Sequence, residues 1–295
     1  DQPGLDRSHG CAVMFAHSEC AYAKINLALH VRSRRDDGYH ELESLVAFLD
    51  SGDTLSIDNA EEDSLTVDGD FAELVGNADD NLVLRALRWA RENNNGSMPP
   101  YAIKLSKHLP VAAGLGGGSA DAAALLRILS RQGQFFSLYD TDQFDHLATL
   151  GADVPACVIS RPLIMRGIGE QIEEVADESL ANISAVLVNP GVPVPTGPVF
   201  KAWDGVDRGA LPGGSALDIA IIGRNDLQSP AIALCPIIGD VLAMLDNSSP
   251  VVARMSGSGA TCFALYDDPE KAGAVADAIG DKQPGWWVQA GSLLR

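Results

Sequence analysis

The stretch Leu109–Leu129, "LPVAAGLGGGSADAAALLRIL", limits what this chain can fold into more than any other. Gly114, Gly116, Gly117 and Gly118 stand with Ser119 directly before an alanine-rich pattern of helical period. Glycines admit positive φ and let a ligand approach bare backbone, so successive N–H groups can face one concavity. A helix opening near Ser119 adds unpaired N–H groups and the positive end of its dipole. A flexible linker needs neither a preceding strand, nor Pro110, nor a helix that follows at once. The segment therefore reads as an anion cradle of the size of a phosphate. The chain contains no Gly-Lys pair, which removes the Walker A pattern. A dinucleotide fingerprint needs a third glycine where Ser119 stands and an acidic residue closing the next strand.

Around this loop the chain reads as α+β. "AKINLALHV" and "LESLVAFLD" alternate as strands across the polar turn "RSRRDDG", and "DTLSID" and "SLTVDG" follow as shorter strands. "NLVLRALRWARENN" has helical period, and "YAIKLSKH" returns as a strand before the glycine loop. Helices are expected from about Ser119 to Ser130 and Thr141 to Leu150, then a strand, "VPACVIS". "RPLIMRGIGE" breaks the pattern, and beyond it come strand "ISAVLVNP", helix "PIIGDVLAMLDN", strand "ATCFALYD", helix "PEKAGAVADAIG" and strand "GWWVQAGS". The repeated crossovers of a doubly wound sheet are missing, so two α+β domains are expected. At 295 residues the division reads as 14–165 for the domain holding the glycine loop and 166–295 for the second, with 1–13 an upstream extension ahead of Met14.

Composition excludes several classes. A net charge of −19 opposes nucleic-acid backbones, whereas a small anion needs only local positive potential. No apolar run approaches the ~18 residues of a membrane span, and "DQPGLDRSHG" opens unlike a signal peptide, so a cytoplasmic protein is expected. Five scattered cysteines without a C-x-x-C pair are expected to be reduced, and six histidines lack metal-ligand spacing, so no built-in metal is expected.

Two isolated charges stand out. Lys24 lies inside an apolar alternating strand, where an unpaired ammonium is costly. Asp153, in "GADVPA", is of a type that can accept a proton from an alcohol, although most acids simply sit on the surface. Tyr39 and His40 follow the turn Asp37-Gly38. An aromatic face can stack a base while an imidazole bonds its edge, and the same pair suits a core or rim.

"LPVAAGLGGGSADAA" resembles the second motif of the kinase superfamily named for galactokinase, homoserine kinase, mevalonate kinase and phosphomevalonate kinase. "AYAKINLAL" and "RMSGSGATCFALY" are similar to its first and third motifs, in the same order. The resemblance covers nearly all of the chain from about residue 20. It implies an N-terminal ribosomal-protein-S5-like domain, a C-terminal ferredoxin-like domain, and phosphorylation of a small molecule by ATP with Mg2+ brought by the nucleotide. "DDGYHELES", "DDNLVLRAL", "LGADVPACV" and "NPGVPVPTGPVF" resemble one branch, the 4-diphosphocytidyl-2-C-methylerythritol kinases of non-mevalonate isoprenoid synthesis.

That resemblance implies roles for individual residues. Asp153 takes the hydroxyl proton and Lys24 orients and neutralises the oxygen. Asn81 and Leu82 meet adenine, and Lys107 lies near the nucleotide. Pro110, Val111, Ala112, Ala113, Gly114, Leu115, Gly116, Gly117, Gly118, Ser119 and Ala120 form the phosphate loop. Tyr39 and Phe200 sandwich cytosine, His40 reads its polar edge, and Asn26 and Thr196 lie along the substrate's polar groups. Gly257 and Ser258, in the third motif, sit near phosphate or acceptor, although a tight hairpin explains them equally. The chain departs from the pattern at Ala112 and Ala113, where relatives often carry glycine, and at Ala120, where a second serine is common. Two other readings stay open: a different small-molecule kinase of the superfamily, and a nucleotide sensor on the same fold.

Overall fold

The computed structural model describes residues 17–75, 80–94, 98–133, 138 and 141–295, so the expected extension 1–13 and start at Met14 lie outside the described residues. The chain opens with two long antiparallel strands, β1 (Ser18–Arg34) and β2 (His40–Asn59). "LESLVAFLD" and "DTLSID" are thus one strand rather than two. The intervening Gly52 marks a close backbone passage instead of a turn: a Cβ there would lie 2.0 Å from Ala21 O on β1. Because β2 is long, it also pairs with β4 (Tyr101–Ser106) at one end and β5 (Leu163–Gly167) at the other. β3 (Ser64–Asp68) runs parallel to β4, and β6 (Gln171–Glu174) closes the other edge.

Among the described residues, α1 (Leu82–Glu92), α2 (Gly117–Arg131) and α4 (Val154–Ile159) pack in the core on this sheet, and α3 (Thr141–Ala148) packs on α4. Ten consecutive residues of α2, Ala120 to Leu129, are buried, so this helix lies in the core against Phe48, Val158 and their neighbours. The expected strand "VPACVIS" is α4. All six of its residues are buried, and a fully buried apolar run carries no period by which to tell strand from helix. Pro155 in the first turn favours the helix, since its missing N–H would be unpaired there anyway.

The second sheet has the order β10-β7-β9-β8, antiparallel throughout, from β7 (Ser184–Asn189), β8 (Val252–Met255), β9 (Cys262–Tyr266) and β10 (Trp287–Ser292). Helices α5 (Thr196–Ala202), α6 (Ala216–Ile222), α7 (Gln228–Leu234) and α8 (Ile237–Asp246) connect β7 to β8, and α9 (Pro269–Lys282) connects β9 to β10. This is the ferredoxin-like β-α-β-β-α-β succession. Among the helices, α5, α6 and α7 were not legible in the sequence, because seven residues hold too little of a helical period. The sheets share a core in which Ile25, Leu27 and Leu49 meet Leu187, Phe263 and Leu265.

The expected domain division at 165/166 falls inside β5. Pairing of β5 on β2 and of β6 on β5 carries the first sheet through Glu174. Gly167 and Gly169, both at positive φ, make the turn of this edge hairpin and mimic a linker in the sequence. Cys20 is disulfide-bonded, against the expectation of reduced thiols, while Cys157, Cys235 and Cys262 are free. No helix among the described residues is long and apolar enough to cross a membrane.

Candidate active site

After β4 the chain turns through Leu109 and Pro110 and enters α2 from Gly116, which sits in the left-handed region at φ 64° with no side-chain cap. The first helical bond runs from Ala120 N–H to Gly116 O at 2.9 Å. The N–H groups of Gly117, Gly118 and Ser119 precede it and form the open end of the helix. A Cβ at Gly118 would meet nothing within 4 Å, so the loop faces space at this point. A Cβ at Gly116 would lie 3.2 Å from Lys24 Cε and 3.6 Å from Asp153 Oδ2; glycine here admits both side chains.

Those side chains form an ion pair, Lys24 Nζ to Asp153 Oδ1 at 2.8 Å, across 129 residues of sequence. Lys24 projects from the middle of β1 and is buried, whereas the Asp153 side chain, at the start of α4, is 36% exposed. The pairing removes the cost of the buried ammonium and leaves carboxylate oxygen open to the cleft. The third motif fixes the loop from the other side. Ser256 Oγ donates to Gly114 O at 2.8 Å and accepts from Asn26 N–H at 3.1 Å, Thr261 N–H donates to Ala113 O at 3.2 Å, and Lys24 N–H donates to Leu115 O at 3.0 Å. The three sequence motifs are therefore hydrogen-bonded into one unit. A tight hairpin alone does not account for Gly257 and Ser258: both line the cleft, and Ser258 Oγ lies 3.0 Å from Thr196 Oγ1.

At the far end of the cleft His40 packs on Phe200, ring centroids 5.0 Å apart, and meets Trp203 edge-on at 5.8 Å. His40 Nε2 is buried without a partner. Burial, and secondarily the Arg34 guanidinium, hold its pKa below the ordinary histidine value. Arg34 donates to the carbonyls of Lys201 and Trp203, fixing α5 against the end of β1. Tyr39 is 60% exposed beside this cluster, a large aromatic left free at the rim. Asn26 Nδ2 donates to Ser44 Oγ at 2.8 Å, leaving Asn26 Oδ1 toward Gly257.

One cleft of about 910 Å³ contains Lys24, Asn26, Tyr39, His40, Gly114, Gly116 to Ser119, Asp153, Thr196, Phe200, Gly257 and Ser258 in its walls. A side cavity of about 230 Å³, lined by Asn81, Leu82, Lys107, Pro110 and Val111, shares Leu82, Ala112, Gly117 and Gly118 with it. The sequence-predicted residues thus converge, with three qualifications. Leu115 and Ala120 turn their side chains into the core, and the Ala120 N–H is taken up within the helix. Lys107 borders the side cavity, as does Asp121, but its Nζ, 3% exposed, is taken up by Asp53 and Asp121 rather than left free. Sequence reading passed over Asp53, Asp121, Ser44 and Ser256, which hold the site from behind. Only Asp121 carried a signal, as an acid on the buried face of an otherwise apolar helix.

Ala112 takes φ 53°, the left-handed conformation that favours glycine. Its position in the loop explains physically why glycine is at home there, and the alanine holds the same turn at a cost in strain.

The comparisons with known proteins agree with this geometry. Residues 81–161 match the family "GHMP kinases N terminal domain" and residues 215–284 match "GHMP kinases C terminal". A 4-diphosphocytidyl-2-C-methyl-D-erythritol kinase of Novosphingobium aromaticivorans is 51% identical over 278 residues, covering 93% of this chain and 92% of that one. One of Erythrobacter litoralis is 51% identical over 280 residues, covering 94% and 99%. A crystal structure of 4-(cytidine 5'-diphospho)-2C-methyl-D-erythritol kinase superposes with a TM-score of 0.74 at 33% identity, over 94% of this chain and 98% of that one. A mevalonate kinase at 13% identity and TM-score 0.64 shares the fold. With the three motifs joined in one cleft and relatives matched over almost their whole length, the chain belongs to the 4-diphosphocytidyl-2-C-methyl-D-erythritol kinases, within the GHMP kinases.

Proposed function

We propose that this small-molecule kinase transfers the γ-phosphoryl group of ATP to the 2-hydroxyl of 4-diphosphocytidyl-2-C-methyl-D-erythritol, giving the 2-phosphate and ADP. The observation that carries this reading is the Lys24–Asp153 pair, which lies against Gly116 between the open end of α2 and the aromatic cluster. Phosphoryl transfer asks for position and charge stabilisation more than covalent chemistry. The amides of Gly117, Gly118 and Ser119 supply donors for the phosphates, aided by the helix dipole. The side cavity beside Asn81 and Leu82 takes adenine. Cytosine lies at Tyr39 and Phe200, with His40 beside them in the cleft wall. Asn26, Thr196 and Ser258 contact the polyol diphosphate.

In the reaction the Asp153 carboxylate accepts the hydroxyl proton as the oxygen attacks the γ-phosphorus. The Lys24 ammonium stays on the oxygen side and stabilises developing negative charge. A Mg2+ ion carried by the nucleotide would add neutralisation of phosphate charge to that supplied by the amides of Gly117, Gly118 and Ser119.

A coupled ADP-release assay offering the cytidyl compound, mevalonate, homoserine and galactose tests the reading. Turnover with the cytidyl compound alone is expected; turnover with mevalonate and not with the cytidyl compound overturns it.

A further inference from the structure

The geometry points to Asp53, Lys107 and Asp121 as a buried positioning triad that ties together the two ends of the glycine loop and sets the charge beneath its amides. Asp53, near the middle of β2, accepts from the N–H groups of His108 and Leu109 at 2.6 and 2.8 Å and so holds the entrance of the loop. Asp121, in the first turns of α2, holds the exit. Lys107 joins them, donating through Nζ to Asp53 and, at 2.7 Å, to Asp121. None of the three is more than 3% exposed. The ammonium lies directly under the loop, since a Cβ on Gly117 would be 3.1 Å from Lys107 Nζ. The lysine backbone is itself pinned, its N–H donating to Asp68 O at 2.7 Å and its carbonyl accepting from Phe71 N–H at 3.2 Å.

Charge gives this arrangement a second consequence. With both acids ionised, one ammonium faces two carboxylates, and an excess negative charge lies beneath the amides meant for phosphate. Asp121 Oδ1 has no hydrogen-bond partner, and the one ammonium that compensates this carboxylate is shared with Asp53. Asp121 faces Lys107 from the end of β4, Asp53 from β2 and the Cys157 thiol from α4. Burial first, then Asp53, raise its pKa to about 8 against the opposing pull of Lys107. Burial and the neighbouring carboxylate thus favour the protonated form of Asp121, which keeps the single ammonium of Lys107 from being outnumbered and preserves the positive potential of the open helix end. Above that pKa the excess charge appears and anion binding weakens.

This inference rests on the nucleotide lying on the glycine loop. Its test is the Kd for ATP, titrated between about pH 6.5 and 9.5 for the wild type and for Asp121→Asn, which keeps an oxygen for Lys107 but cannot ionise. The wild-type Kd is expected to rise roughly tenfold across this range, the effect of a unit charge at about 10 Å with an effective dielectric constant near 20. In Asp121→Asn that rise disappears. Identical profiles in the two proteins overturn the inference alone; absence of ATP binding by the wild type overturns the functional reading with it. If Asp121→Asn does not fold, wild-type calorimetry in two buffers at pH 8 decides. Uptake of up to about half a proton on ATP binding supports the triad, and no uptake contradicts it.

Discussion

The two ends of the cleft are built differently. The glycine-loop end comes from one contiguous segment whose functional groups are backbone amides, held from behind by Ser256, Thr261 and the Asp53–Lys107–Asp121 triad. The aromatic end draws Tyr39, His40, Thr196 and Phe200 from two distant stretches, and its functional groups are side chains, one exposed and one with an unpartnered nitrogen. An anion can be met by rigid backbone amides, whereas a particular base needs side chains shaped to its faces and edges. The loop end should therefore respond to substitution through backbone strain, and the aromatic end through affinity for one substrate.

The largest effect is expected where the ends meet. Asp153→Asn should lower kcat by about 10²–10⁴-fold while ATP binding persists, as followed by ADP release and nucleotide titration. Loss of ATP binding instead would place Asp153 in the loop end. Next comes Gly114→Ala. Its Cβ would fall 2.4 Å from Ser256 O at a φ of 77°, so a loss of about 3 kcal/mol or more in unfolding free energy is expected, measured by urea denaturation. Gly118→Ala, with open space around its Cβ, should fold normally and instead raise the KM for ATP. Equal destabilisation of both variants would remove the distinction between strain and ligand contact.

At the other end, Phe200→Ala should raise the KM for the cytidyl substrate about tenfold or more, with the KM for ATP unchanged, since one stacked base is worth about 1–3 kcal/mol. A parallel change in both constants would show that the two ends are not independent. The pH dependence of stability sharpens the contrast further. The raised pKa of Asp121 means that the folded protein keeps a proton that the unfolded chain releases above the ordinary carboxyl value of 3.8. Its contribution is therefore full below that value and lost as pH rises towards about 8, and Asp121→Asn should flatten this decline in thermal scans. The smallest effect is expected for Ala112→Gly. Relief of the left-handed strain, about 1–2 kcal/mol, is mostly offset by the conformational entropy of glycine, leaving a gain below about 1 kcal/mol.

The same difference explains what was legible in the sequence. The loop end could be read because Gly114 to Ser119 adjoin their helix, and local order is what sequence displays. Lys24 could be singled out because a charge inside an apolar strand demands a partner, although only the fold shows that the partner is Asp153. Asp53 gave no sign, since nothing in "SGDTLSID" distinguishes a buried acid from a surface one. Nor did the sequence show Lys107 turned inward, because two carboxylates from β2 and α2 decide its direction. "VPACVIS" and the β5–β6 hairpin were misread for related reasons: a fully buried run has no period, and glycines in a tight turn look like a linker. At the aromatic end, Tyr39-His40 became interpretable only by likeness to a family, and the contact of His40 with Phe200 needed the second sheet to carry α5 across the end of β1.

The most direct measurement is a crystal structure with a non-hydrolysable ATP analogue and the cytidyl substrate bound together. The triphosphate is expected on the amides of Gly117 to Ser119, cytosine between Tyr39 and Phe200, and the acceptor hydroxyl within hydrogen-bond reach of Asp153 and facing the γ-phosphate. Cytosine on the glycine loop, or an acceptor hydroxyl remote from Asp153, would contradict the account.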